Sequence, residues 1–401
     1  MKHILIDARF RDGSPGGIQQ VVIGLAQGLS QLDLAGNRVT FLLLEGHTAW
    51  LEPFLPEQAT IACVPTSSAA PSSGGFLARV KAFVRDHFGH LFGQSSIQIP
   101  AEPAIVKELN PDLIHFVHQN CFRTDRPFLY TPHDLQHEYY PEYFTKRTVM
   151  VRRYLYKYYA ERASAVVCIS KACQQDVVKY LGVSADKCPV IYNAPVTEGY
   201  DQPEDSVLDS VRAKYALPRS FFFYPARSYP HKNHIALVRA VAQLRDAGTV
   251  VQVVCSGAPT PYFKQTVLPL IESLQLQSQF HFVGFVSTSE LNALYALATA
   301  LVFPSQFEGF GLPLIEAMRA GLPVMCSNNS ALPEVVGEAA LTFEAEDVVE
   351  IATHLHNLWE DMSLRERLIC KGLEHAKLFN WQRSAAQYLK LYDRLAPIKL
   401  K

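Results

Sequence analysis

The chain has 401 residues, 48% apolar and 19% charged, which is the composition of a soluble globular protein long enough for two or three domains. Its 37 basic and 38 acidic side chains nearly cancel, so no global field gathers nucleic acid, and nucleic acid is excluded as the main partner. Eight cysteines without a Cys-x-x-Cys pair read as reduced, mostly buried thiols rather than a disulfide framework.

The sequence opens directly on a strand, His3 to Asp7, with no signal-peptide layout, and no apolar run approaches the ~20 residues of a membrane span. The expectation is a cytoplasmic protein, with peripheral contact at the inner membrane face left open. Ser14-Pro-Gly-Gly-Ile18 follows as a strand-to-helix turn, and glycines such as Gly17 let a phosphate or sugar approach the backbone there. Ile18 to Leu32 reads as a helix and Val39 to Leu44 as a second strand, so strands and helices alternate as in a doubly wound parallel sheet. Pro65 to Gly75 is a Ser/Pro/Gly loop. Leu77, Val80, Val84, Phe88 and Leu91 then recur at helical spacing beside Arg79, Lys81 and Arg85. That segment reads as an amphipathic helix docked on the sheet rather than a membrane-surface helix.

Asp112 to Val117 and Phe128 to Thr131 are further strands. His115, His118, His133 and His137 lie close in sequence but lack a fixed ligand frame, so they read as structural or solvated rather than as a zinc site. His133 is set apart, because it stands just past a strand end, where ligands gather in open α/β sheets. Lys146 to Arg162 carries six basic residues and one acidic residue among Tyr154, Tyr156, Tyr158 and Tyr159. It is either a solvated basic face or a surface for anionic lipid or a diphosphate-linked acceptor. Ala165 to Ser170 reads as a strand, Lys171 to Leu181 as a helix, and Pro189 to Asn193 as the last strand of this half.

Glu198 to Ser210 is acidic, polar and poor in aromatics, which suits an interdomain connection. Phe221 to Pro225 is a strand, and Ala226-Arg-Ser-Tyr-Pro-His-Lys-Asn-His234 leads from it to a helix capped by Asn233. Arg227 and Lys232 bracket this loop, where two cations can neutralise a diphosphate and the charge it gains as a leaving group. Val250 to Ser256 is a strand ending at Gly257. Phe280 to Phe285 is the next, followed by Val286 and a helix start at Thr288.

The most informative stretch is Phe303 to Pro323. An apolar strand, Ala300 to Phe303, gives way to a loop with Gly309 and Gly311 and then to a helix with Pro313 in its first turn. Free backbone N–H groups and a positive dipole end face whatever sits there. Glu308 in the loop and Glu316, expected in the first helical turn, frame it. Val324 to Ser327 is a further strand, Ala331-Leu-Pro-Glu-Val-Val-Gly337 a structural helix start, and Ser384 to Leu395 a terminal amphipathic helix.

Glu308-Gly-Phe-Gly-Leu-Pro-x-x-Glu316, with seven residues between the glutamates, resembles the Glu-x7-Glu signature of retaining glycosyltransferases of family 4, which have the GT-B fold. Arg227-x4-Lys232-Asn233 is similar to that family's donor motif, with Ala226 where the family usually has glycine. The resemblance implies two Rossmann-like domains with parallel sheets facing a central cleft. Domains would fall at residues 1–197 (acceptor side), a linker at 198–215, a donor-binding domain at 216–378, and a C-terminal helix at 379–401 crossing back to the first.

The resemblance also implies roles. Gly17 would belong to the glycine loop facing the donor. Arg227, Lys232 and the backbone of Gly309, Phe310, Gly311 and Leu312 would hold the diphosphate, with Gly257 alongside. Val286 would lie along the base, Glu316 would accept from the ribose, and His133 and Glu308 would attend the reacting sugar. Tyr192-Asn-Ala stands where the family ends a strand in Pro-Asn-Gly, so Asn193 is a further candidate. No Asp-x-Asp occurs, so no metal and no cofactor are expected beyond a GDP- or UDP-linked hexose as donor substrate. The acceptor would be a glycan or lipid-linked glycan, as in surface polysaccharide or lipopolysaccharide synthesis, mannosyl transfer among the options. A nucleotide-sugar epimerase or hydrolase, and a non-catalytic nucleotide-sugar-binding subunit, remain the alternatives.

Overall fold

The computed structural model describes residues 2–12, 17–34, 36–66, 97–196 and 203–396. The glycine turn at 13–16 and the loop and helix read at 67–96 lie outside the described residues. The chain divides into two compact units, Met1–Val196 with Asn380–Lys401, and Thr197–Phe379.

The first unit is built on a six-stranded parallel sheet. Its strands are β1 His3–Asp7, β2 Arg38–Leu44, β3 Thr60–Val64, β4 Leu113–Phe116, β5 Phe128–Tyr130 and β6 Ala165–Val166, in the order β3-β2-β1-β4-β5-β6. Every residue of β1, β4 and β5 is buried, as parallel strands covered on both faces require. Pro189–Asn193, read as a strand, touches the sheet by a single bridge, Cys168 to Val190. Helix α1 Gly17–Ser30 follows β1. Helix α2 Lys146–Arg162 follows β5 and is capped by Thr145, whose side chain accepts from Thr148 N–H at 3.1 Å.

The second unit repeats the plan. Its strands β7 Phe222–Pro225, β8 Val253–Ser256, β9 Phe280–Gly284, β10 Ala300–Phe303, β11 Val324–Ser327 and β12 Leu341–Phe343 pair in the order β12-β11-β10-β7-β8-β9. Both sheets therefore place their first strand beside their fourth, which is the doubly wound arrangement. The reading of 198–215 as a linker is corrected by helix α3, Asp205–Lys214. Its polar residues are the solvent face of an amphipathic helix, while Val211 is buried and Lys214 pairs with Glu290 at 2.5 Å. Helices α4 His234–Asp246, α5 Thr288–Leu297 and α6 Leu312–Arg319 follow β7, β9 and β10.

The last helix, α7 Trp381–Leu395, belongs to the first unit and packs along α1. Gly24 and Gly28 let the two backbones meet: a Cβ added at Gly24 would overlap the Trp381 indole, and one at Gly28 would strike the Trp381 carbonyl and lie 2.8 Å from Ala385 Cβ. Polar contacts pin the rest, with His115 Nδ1 to Tyr392 OH at 2.8 Å and Ser384 Oγ donating to Tyr192 O at 2.6 Å. Among the described residues no helix is long and apolar enough to cross a membrane. Gly28→Ala should destabilise the protein by about 1–3 kcal/mol through this overlap, although alanine favours an isolated helix by ~1 kcal/mol. Denaturant unfolding checks this, and a variant as stable as wild type would show that the helices do not pack in this way.

Candidate active site

In a doubly wound sheet the connections after the first and fourth strands leave on opposite faces, and ligands bind in the crevice above the strand ends. In the second unit that point lies between β7 and β10, and both lead into the segments singled out above.

After β7, Arg227 begins the loop and Lys232 ends it in a short 3-10 turn, Pro230–Lys232. Asn233 takes a left-handed conformation (φ 56°), caps α4 by accepting from Ala236 N–H, and donates to Ala345 O at 2.7 Å. Tyr224, fully buried, donates to Lys232 O at 2.5 Å, so the loop is held from below. Arg227 lies with its guanidinium 5.0 Å from the Tyr229 ring centroid, and its buried Nε–H has no acceptor among the described residues. A buried donor without a partner is uncommon, and an incoming anion would satisfy it.

After β10, the Glu308 backbone N–H donates to Ser330 Oγ at 2.8 Å and its carboxylate meets Lys232 Nζ at 2.5 Å. Gln306 N–H donates to His231 O at 2.7 Å, tying the two loops together. Gly311 (φ 101°) is the residue before α6, where a Cβ would sit 2.7 Å from Leu332. Gly309 and Leu312 lie on either side of it, half-buried, while the Phe310 ring is buried against Phe379. Glu316 lies in the second turn of α6 rather than the first, and accepts from Tyr295 OH at 2.8 Å. The structure thus gathers Arg227, Lys232, Glu308 and the start of α6 about one switch point.

Gly257 and Val286 sit at the ends of β8 and β9. Gly257 (φ 115°) is needed for packing: a Cβ there would come 2.9 Å from Arg227 N, so this glycine sets how the Arg227 backbone lies. Val286 is half-buried beside Phe285, which is 80% exposed.

His133 and Gly17 belong to the first unit. Gly17 begins α1, exposed and with nothing within 4 Å of an added Cβ. His133 follows β5 with φ 64°, buried, its Nε2 2.7 Å from Val117 O. A carbonyl only accepts, so Nε2 carries the proton and Nδ1 is the acceptor of the neutral ring. Burial lowers its pKa to about 4 despite the Val117 carbonyl, which favours the charged form. Asn193 is buried, and its side-chain oxygen has no hydrogen-bond partner among the described residues.

The sequence reading missed a cluster at the first unit's own switch point, between β1 and β4. Asp7 is fully buried, and Arg9 donates to both its oxygens at 2.7 and 2.8 Å. His118 Nε2 stands 3.6 Å from Asp7 Oδ2. Burial pushes the Asp7 carboxyl up, but Arg9, with His118 behind it, outweighs burial and holds it far below the usual range. The available signal was a carboxylate ending the first apolar strand with an arginine two residues on. Tyr295, which orients Glu316, and Ser330, which holds Glu308, carried no motif and were also missed.

The family described as Glycosyl transferases group 1 matches residues 210–375, and the one described as Glycosyltransferase Family 4 matches 15–198. O-antigen chain mannosyltransferase B of Escherichia coli is 30% identical over 269 residues, which are 66% of this chain and 70% of that protein. Serotype-specific mannosyltransferase WbdA of Escherichia coli is 34% identical over 239 residues, 59% of this chain but only 29% of its own length. The crystal structure of Anabaena Alr3699/HepE in complex with UDP and glucose superposes with a TM-score of 0.70 at 20% identity, covering 98% of this chain and 100% of that one. The chain is a glycosyltransferase of the GT-B fold. It belongs to glycosyltransferase family 4.

The buried histidines set a pH dependence. His133 and His137 are lowered to about 4, and His115 to about 3, chiefly by burial. Above the ordinary histidine value near 6.5 both folded and unfolded chains are neutral there, and pH has no lever. As pH falls below it, the unfolded chain takes up protons that the folded chain refuses, so stability drops by about 1 kcal/mol per pH unit per histidine. His133→Asn, which tolerates positive φ, should give a shallower fall of stability between pH 6.5 and 4.5 than wild type. Parallel curves would show that His133 is not held neutral by the fold.

Proposed function

We propose that the protein transfers a hexose, with retention of configuration, from a nucleotide diphosphate sugar to a glycan or lipid-linked glycan of a surface polysaccharide. The observation that carries this is the set around the β7–β10 switch point: Arg227 with a buried Nε–H that has no acceptor among the described residues, Lys232 at 2.5 Å from Glu308, and the start of α6. Arg227, Lys232 and the backbone at Gly309–Leu312 bear the diphosphate charge without a metal or cofactor, and that charge grows as the C1–O bond to phosphate breaks. Glu316, oriented by Tyr295, accepts from the ribose hydroxyls. The base lies along Phe285 and Val286.

Glu308 holds the sugar hydroxyls. His133, neutral at physiological pH, supplies one hydrogen-bonding nitrogen to the sugar. The acceptor hydroxyl adds to C1 on the face the phosphate leaves, and its proton passes to the departing phosphate oxygen. Retention without a covalent intermediate follows from that geometry. The relatives are named as O-antigen chain and serotype-specific mannosyltransferases, and HepE was crystallised with UDP and glucose. We favour mannose and GDP, since the sequence likeness to the mannosyltransferases is the stronger.

Two measurements test the reading. In thermal shift and calorimetry with UDP, GDP and ADP, one diphosphate should stabilise the wild type in the presence of EDTA, and Glu316→Ala should weaken it by about 10-fold or more. Unchanged binding by Glu316→Ala would remove Glu316 from the donor site, and binding that needs a divalent ion would overturn the metal-free assignment. In turnover, Lys232→Met should lower kcat/KM by about 100-fold or more, since it strips a charge partner from the leaving group. A wild-type protein that only alters the donor sugar, with no acceptor consumed, would point to an epimerase instead.

A further inference from the structure

Every backbone carbonyl from Arg227 to Lys232 is taken by a donor of the second unit. Arg227 O accepts from Tyr229 N–H at 2.8 Å, Ser228 O from Thr260 Oγ1 at 2.6 Å, and Tyr229 O from Lys232 N–H at 3.0 Å. Pro230 O accepts from Asn233 N–H at 3.0 Å, His231 O from Gln306 N–H at 2.7 Å, and Lys232 O from Tyr224 OH at 2.5 Å. At the start of the loop, Gly257 leaves room for the Arg227 backbone. A backbone tied in this way has little freedom left, so its side chains set out from fixed points.

Those side chains alternate. Ser228 is buried, whereas Arg227 and His231 are half-buried and Tyr229 is 40% exposed. Arg227, Tyr229 and His231 are linked in a run: the guanidinium carbon lies 5.0 Å from the Tyr229 ring centroid, and that ring is nearly parallel to the His231 imidazole, at 10° and 5.9 Å. A guanidinium at this range is drawn to the π face of the ring. Burial, with Lys232 behind it, lowers the His231 pKa to about 4, so at physiological pH the imidazole is neutral and sets no like charge beside Arg227. The two cations of the site are therefore held in different ways. Lys232 has the Glu308 carboxylate at 2.5 Å. Arg227 has a buried Nε–H with no acceptor among the described residues, and it rests on the Tyr229 ring. A surface tyrosine needs no function by itself. This one lies against a flexible cation whose ordering a ligand would otherwise have to bring about, and a ring that orders it beforehand lowers that cost.

We propose that Tyr229 is a positioning residue of the donor site, its π face holding the Arg227 guanidinium in place for the diphosphate without itself touching the substrate. This rests on the transferase reading above. The ring does the holding and the hydroxyl does not, so phenylalanine should serve at this position and an aliphatic side chain should not.

The test is a double-mutant cycle on the full chain, with calorimetry of GDP, UDP and inorganic pyrophosphate in wild type, Tyr229→Leu, Tyr229→Phe, Arg227→Gln and the variant carrying both Tyr229→Leu and Arg227→Gln. Tyr229→Leu should weaken binding of the nucleotide that the wild type takes by about 5-fold, and Arg227→Gln by about 10-fold or more. Once Arg227 is gone, Tyr229→Leu should cost nothing further. Tyr229→Phe should bind within about 2-fold of wild type. A tyrosine that only supports the loop would weaken binding by the same factor with or without Arg227, and that additivity would overturn the proposal. So would wild-type affinity in Tyr229→Leu or in Arg227→Gln, or an equal loss in Tyr229→Phe and Tyr229→Leu. If no nucleotide binds wild type but pyrophosphate binding shows the coupling of Tyr229 with Arg227, the transferase reading falls and the positioning role stands. If neither a nucleotide nor pyrophosphate binds, both fall together.

Discussion

A parallel strand cannot be reached from its neighbour by a tight turn. Each connection must climb back over the sheet, and its right-handed sense decides which face the helix takes. With the first strand beside the fourth, the chains leaving those two strands turn to opposite faces and their loops part. That parting, between β1 and β4 in the first unit and between β7 and β10 in the second, is where side chains can converge without filling the space themselves. Asp7, Arg9 and His118 stand at the one, and Arg227, Lys232 and Glu308 at the other.

How far this was legible in the sequence differs between the two halves for a physical reason. The second unit's site is made of loops whose shape is written in residue type: Gly311 at φ 101°, Asn233 at φ 56° as a cap, and proline early in α6. Such positions accept few residues, so the motif and the geometry coincide. The first unit's cluster depends on tertiary contact between β1 and the loop after β4, more than a hundred residues apart, and a single aspartate at a strand end does not announce it. The polar stretch before β7 misled for the opposite reason. Charge and a lack of aromatics describe a linker and an exposed helix face alike, and Val211 alone of α3 is buried. Tyr295 and Ser330 were invisible because they act on other site residues and follow no spacing rule.

The cations of the two units are not equivalent. Arg9 gives two hydrogen bonds to a carboxylate that has no exposure to water, and removing one member of such a pair strands the other at a cost of about 3–5 kcal/mol. That is a structural bond, and it leaves the arginine little to offer a ligand beyond its position over the Phe122 ring. Arg227 is the reverse case, partly buried with an Nε–H that has no acceptor among the described residues. On the reading proposed above, Arg227 is left to answer phosphate at the second unit's switch point, whereas the arginine at the first unit's switch point is committed to Asp7.

The Lys232–Glu308 pair gives the proposed chemistry a way to couple its parts. Both side chains are mostly buried, at 18% and 15% exposure, so neither the charge pair nor its loss is fully screened. A diphosphate carries more charge than a carboxylate and competes for the same ammonium. On the reading proposed above, its arrival draws Lys232 toward the phosphate and leaves Glu308 short of a donor. The Glu308 backbone is fixed by Ser330, so the loop stays and only the carboxylate must find new partners, and the sugar hydroxyls carried in with the diphosphate are those partners. Binding the anion and gripping the sugar would then be one event. The strength of the pair sets the threshold, because a substrate lacking either the second phosphate or the hydroxyls fails to compensate what it displaces.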